Sequence, residues 1–151
     1  MSPYSELKNF FNNHSILSDI NGILSWDMST MMPYKARSQR IKQIKIINEY
    51  KKEIFNTIKK KELFKKVDLT KLNSANKVNF HLMKKKYDFF NHIPFESIQK
   101  KSYLSIECEG LWRESRKKSD FNIVKNKLSD LVDVIKEQSE ILSQKNAAYR
   151  R

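Results

Sequence analysis

Between Leu7 and Leu24 the apolar residues Leu7, Phe10, Phe11, Leu17, Ile20, Ile23 and Leu24, with His14 among them, return at three- and four-residue steps. That spacing stacks side chains on one face of an α-helix; a strand would need alternation at every second residue. Little in the chain interrupts such patterns. Its 151 residues hold two Gly and three Pro, too few for the tight turns of a sandwich or barrel. The expected fold class is all-α, with about five amphipathic helices in an antiparallel array. Length makes one domain the default, with roughly 68–70% of the unfolded surface buried on folding, so residues 1–151 read as a single helical region.

The first helix is expected over residues 5–28, with Ser5 as its N-cap and Pro33 closing the unit, since Met32 before a proline is pushed out of helical geometry. A second, over residues 34–61, turns Ile41, Ile44, Ile47, Ile54, Phe55 and Ile58 inward and leaves Lys42, Lys45, Lys52 and Lys59 wet. Residues 62–69 read as a turn or a single helical turn. Asp68 or Thr70 then caps a third helix reaching Phe90, with Leu72, Ala75, Val78, Leu82 and Met83 on its apolar side. Pro94 suits the first turn of a fourth helix, which holds Ile98, Leu104, Cys108, Leu111 and Trp112. Ser119 or Asp120 caps the fifth, patterned by Phe121, Val124, Leu128, Leu131, Val132, Ile135 and Leu142.

The net charge of +13 is concentrated in residues 35–86, which carry 17 basic against four acidic residues. Such a focus attracts phosphate backbones or anionic surfaces. A solvated face is nevertheless the expectation, because Lys supplies most of the charge and bidentate phosphate or base readers favour Arg. One cysteine, Cys108, leaves no internal disulfide and suits a reducing compartment. No stretch approaches the 18 or so continuous apolar residues of a membrane span, and the first fifteen residues lack the basic start and apolar run of a signal peptide. The expected location is the cytoplasm.

Reaction chemistry is hard to assemble from this chain. The histidines are His14, His81 and His92, and none has the H-E-x-x-H spacing that sets two zinc ligands on one helical face. His14 falls on the apolar side of the first helix and reads as a satisfied core residue; His81 and His92 read as surface groups. Cys108 lies on an inner face and reads as a buried structural thiol. Glu107 and Glu109 are too close in sequence to share one side of a helix as an acid–base pair. No catalytic, cofactor-binding or metal-binding residue is expected here. Trp26 and Asp27 near the end of the first helix suggest a clamp, with the indole in the core and the carboxylate accepting from Arg37 or Arg40.

Those residues carry a resemblance. Leu24, Ser25, Trp26, Asp27, then Met32 and Pro33, then Arg37, resemble the N-terminal signature of the carboxypeptidase Taq family of thermostable zinc carboxypeptidases. Downstream, Pro94 followed by Trp112, Arg116, Asp120, Phe121 and Leu128 is similar to the family's segment W-x-x-A-R-x-x-x-D-F with a later Leu. Order and spacing agree from Phe10 to Leu142. Ser115 stands where the family has Ala, and Val124 and Asn126 stand where an aromatic and a proline are expected.

The resemblance implies a largely helical subunit around a deep cleft with zinc at its floor. There a Glu acts as general base on a metal-activated water, and the enzymes are commonly homodimers. The H-E-x-x-H half is absent from these 151 residues, so no ligand or catalytic role transfers to them, and Trp26, Asp27, Met32, Pro33, Arg37, Pro94, Trp112, Arg116, Asp120 and Phe121 are carried over as structural. The implied function is that of a truncated or N-terminal portion of a zinc-dependent metallocarboxypeptidase releasing C-terminal amino acids from peptides. By itself it would be inactive, binding no zinc and forming a wall of the cleft. Its partner would be the remainder of the enzyme, on the same or a separate polypeptide, with peptide substrates only in the whole. The alternative is a basic helical binding module using residues 35–86 against nucleic acid or acidic partners; neither nucleic acid nor membrane is the expected partner.

Overall fold

A computed structural model describes residues 1–149, two short of the helical region expected from the sequence. They form an all-α fold of six helices: α1 (Pro3–Thr30), α2 (Arg37–Lys60), α3 (Leu63–Lys66), α4 (Ser74–His92), α5 (Phe95–Lys118) and α6 (Asn122–Tyr149), with no strand among them. Two 3₁₀ turns, Tyr34–Ala36 and Leu69–Lys71, complete the described chain. The sixth helix is the four-residue α3, which the sequence leaves open as a turn.

Caps set most boundaries. Ser2, not Ser5, caps α1: its hydroxyl accepts from the Ser5 N–H at 3.2 Å, and Pro3 takes the first helical position, where a missing N–H is harmless. At the other end Met31 and Met32 both donate to the Asp27 carbonyl before Pro33 breaks the helix. Asp68 does cap, but only the 3₁₀ turn, through Thr70 N–H at 3.0 Å. Asn73 starts α4 instead, accepting from Asn76 N–H at 2.9 Å. Asp120 starts α6, taking the Asn122 N–H at 3.0 Å. Ser119 closes α5 in the left-handed region at φ 51.

Helices α1 and α2 pack as an antiparallel hairpin. Side-chain links step along their seam: Asp27 to Arg40 near the turn, Asn21 to Asn48 at 3.2 Å midway, and Glu6 to Lys61 at the far end. A second hairpin joins α5 and α6, which pack most extensively against each other. Its seam carries a buried bond from Gln138 to Ser97 at 2.9 Å and one from Ser115 to the Asp120 carbonyl at 2.7 Å.

The main core lies among α1, α2, α3 and α4, where Tyr4, Leu7, Phe55, Ile58, Leu63, Phe80 and Met83 are buried. Each large side chain there contributes roughly 1.5–3 kcal/mol by leaving water. A smaller cluster of Met28, Ile44 and Ile106 joins α5 to the first hairpin. On α2 the expected inward face is correct, and Lys42, Lys45, Lys52 and Lys59 are exposed.

Other faces are not as the spacing suggests. On α4 the inward residues are Phe80, Met83, Tyr87 and Phe90, while Val78 and Leu82 are exposed. The aromatic rings win that competition because each removes more apolar area from water than Val or Leu. Ile20 and Ile23 on α1 and Trp112 on α5 also face outward, as do Phe121 just before α6 and Leu128, Val132 and Ile135 on it. No helix among the described residues is long and apolar enough to cross a membrane.

Candidate functional site

The last turn of α1 contains no basic residue, so its free carbonyls must find donors elsewhere. Two arginines from other helices supply donors there. Arg40 on α2 donates to the Leu24 carbonyl at 2.6 Å and pairs with the Asp27 carboxylate. Arg113 on α5 reaches the Ser29 and Met28 carbonyls while its Nε pairs with Glu109. Cations at a helix C-terminus are favoured by the dipole as well as by the hydrogen bonds.

Arg37, in the first turn of α2, turns the other way. It donates to the Ile106 carbonyl on α5 and lies 3.4 Å from the Glu109 carboxylate. Gly110 makes room for it: a Cβ there would fall on the Arg37 guanidinium. Both glycines sit mid-helix, but a Cβ at Gly22 would meet open space, so position in sequence alone does not mark the close approach at Gly110. Of the two arginines weighed for Asp27, Arg40 is the partner and Arg37 ties α2 to α5. Trp26 does not join the clamp; it is 63% exposed, contrary to the expected core position. Met32 packs against the small cluster, and Pro33 is exposed between the two helices.

The downstream signature residues gather elsewhere. Arg116 lies over the Trp112 ring at 5.1 Å, Asp120 caps α6, and Phe121 is exposed beside them. Together they rim a groove of about 780 Å³ between α5 and α6 that also reaches Cys108. Burial, with Asp130 nearby, pushes the Cys108 thiol up, away from the thiolate form. Pro94 lies apart from both groups, at the start of α5.

His14 is buried at 1% exposure, as its apolar face suggests, but it is not satisfied. Neither ring nitrogen has a hydrogen-bond partner. Its ring stacks on Phe55 at 4.6 Å and meets Phe90 edge-on at 5.7 Å. Burial first, then the Lys51 and Lys86 charges, hold its pKa at about 3. His81 is exposed and His92 half-buried. The described residues bring no three potential metal ligands together. Chemically, the arginine corner is a set of charge-assisted ties to protein carbonyls and carboxylates.

Fold and corner together describe an all-α array of helices tied at one end by arginines. A solved structure described as "The Structure of CHT" superposes with a TM-score of 0.68 at 20% identity, covering 93% of this chain and 29% of that one. At that identity the likeness is one of fold, and this chain spans 29% of the similar chain's length. The match to the family model "Carboxypeptidase Taq (M32) metallopeptidase" is more specific and takes in residues 6–151. This chain belongs to that family of zinc metallopeptidases. No curated protein sequence matches it.

Proposed function

We propose that this chain serves as the helical N-terminal portion of a zinc-dependent metallocarboxypeptidase, acting as scaffold beside a cleft whose zinc, general base and substrate anchors lie in other polypeptide. The observation that carries this reading is a family match over residues 6–151 in a chain that spans 29% of a structurally similar protein. The arginine corner supports it, because its guanidinium groups face carbonyls and carboxylates between helices instead of a substrate. Exposed Trp112, Phe121, Leu128, Val132 and Ile135 on the α5–α6 hairpin offer the remaining polypeptide an apolar flank. In the completed enzyme, C-terminal amino acids would be released from peptides in the cytoplasm.

The purified chain, dialysed against zinc and incubated with a peptide bearing a free C-terminus, should retain no stoichiometric metal and release no terminal residue. Stoichiometric zinc with chelator-sensitive release would overturn the scaffold reading. Adding the missing polypeptide should bring both properties together.

A further inference from the structure

We propose that the cavity between α1, α2 and the start of α5 binds a small organic anion: a carboxylate or phosphate headgroup on a compact apolar body. The cavity measures about 280 Å³, near the lower end of the roughly 300–1,000 Å³ of ligand pockets. Phe55, Phe90, Ile93 and Ile98 line its apolar part. The proposal needs neither zinc nor peptidase activity and stands apart from the scaffold reading.

Three independent features point to an anionic headgroup. The first is the start of α5, a 24-residue helix whose N-cap, Pro94, offers no side-chain cap. Its first intrahelical donors are Ser97 and Ile98, both to the Pro94 carbonyl. The Phe95 and Glu96 N–H groups are thus left for an outside acceptor, at the positive end of the dipole.

The second feature is a pair of cations. Lys51 and Lys52 both line the cavity, and neither has a carboxylate partner among the described residues. The Lys52 ammonium lies 4.2 Å from the Phe95 ring centre, which sets it beside the helix start. Burial and then the Lys86 charge hold Lys51 below the ordinary lysine range. An anion in the cavity would offset both penalties.

The third feature is His14. It lines the cavity, is 1% exposed, and has two unpartnered ring nitrogens. Buried polar groups are almost always hydrogen-bonded, so this ring is an anomaly until something supplies an acceptor for its N–H. A ligand oxygen does so. Glu96 is the single carboxylate on the lining and opposes the same ligand.

Phenylacetate and phenyl phosphate are the probes, followed on the intact chain by titration calorimetry and by the His14 ring resonances in NMR. Benzyl alcohol provides the ring without the charge, and inorganic phosphate the charge without the ring. At least one aromatic anion should bind and move the His14 signals while leaving His81 unmoved; the tighter of the two identifies the headgroup. Benzyl alcohol and K52M should each weaken binding about tenfold, the scale of losing one charge-assisted contact. E96Q should tighten it a few-fold, and H14F, which keeps an aromatic ring, should weaken it. Both Lys52 and Glu96 are exposed, so their variants test binding without risk to the core. Equal affinity for benzyl alcohol or for inorganic phosphate would overturn the proposal. So would unchanged affinity in both K52M and E96Q, or no movement of His14 up to about 10 mM ligand, well beyond the millimolar scale of weak binding.

Discussion

The two ends of the α1–α2 hairpin are held by different physics. At the open end, the rings of Phe11, Phe55, Phe64, Phe80, Tyr87 and Phe90 touch in a chain, with centres 4.9 to 6.2 Å apart. At the turn end the buried apolar cluster is small, and Arg37, Arg40 and Arg113 span the helices. The difference follows from what each end exposes. Helix interiors present side chains, so they are joined by non-directional burial. Helix termini present bare carbonyls, so they are joined by donors. The first kind of joint is insensitive to salt and tolerant of small shifts; the second depends on angle and on ionic strength.

If that contrast is correct, the largest loss comes from the ring chain. Phe55 is 4% exposed and touches Phe11, His14, Tyr87 and Phe90. Phe55→Ala should cost about 3–5 kcal/mol, a large share of a domain's roughly 5–15 kcal/mol. Urea unfolding reads this directly, and the loss should be the same in low and high salt. A loss below about 1 kcal/mol would mean that the rings are not the main support.

The next effect is one of pH and belongs to the same end. Folding lowers the His14 pKa from 6.5 to about 3. The unfolded chain therefore takes up a proton below 6.5 that the folded chain refuses. Stability is fully present above pH 6.5 and is lost as pH falls toward about 3. Near pH 4.5 the loss is about 3 kcal/mol. The Lys51 and Lys86 charges add to the effect of burial, and both lysines are present in the two proteins compared. His14→Phe should remove this share of the slope between pH 7.5 and 4.5, measured as urea midpoints. An identical slope in the variant would show that the ring is protonated when folded.

At the turn end, Asp27→Asn keeps the shape and removes the charge that Arg40 meets. The Asp27 side chain is 33% exposed, so the pair is partly screened, and a loss of about 1–2 kcal/mol is expected. For a chain of this length that is roughly 2–8 °C in thermal midpoint. Unlike Phe55→Ala, the loss should shrink in high salt. An unchanged midpoint removes the clamp from the account.

These contrasts also explain what could be read in advance. The helices, the inward face of α2 and the Asp27–Arg40 pair were legible, because each is set by spacing within about one hairpin. The direction of Trp26, Trp112 and Val78 was not. Periodicity places residues on a face, but which face is buried depends on the neighbour, and on α4 the ring-bearing side won. Nor did sequence distance suggest that Arg113 would meet the end of α1, 84 residues away. The cavity was missed for the same reason: His14, Lys51 and Pro94 come from three segments that only the packing unites.

The smallest effect tests where the aromatic end begins. Asn73, not Asp68, accepts the first α4 amide, at 2.9 Å. Asn73→Ala should therefore cost about 1 kcal/mol, the usual value of an N-cap, and should loosen the first turn of α4. That turn holds Asn76, whose side chain accepts from the buried Tyr4 hydroxyl at 3.0 Å. Hydrogen exchange at residues 76–78 should rise more than at the Arg40 end of α2. Asp68→Ala, by contrast, releases only the 3₁₀ turn and should leave those amides protected. If the two substitutions exchanged their effects, α4 would begin earlier than Asn73, and the aromatic end would rest on the caps expected from the sequence.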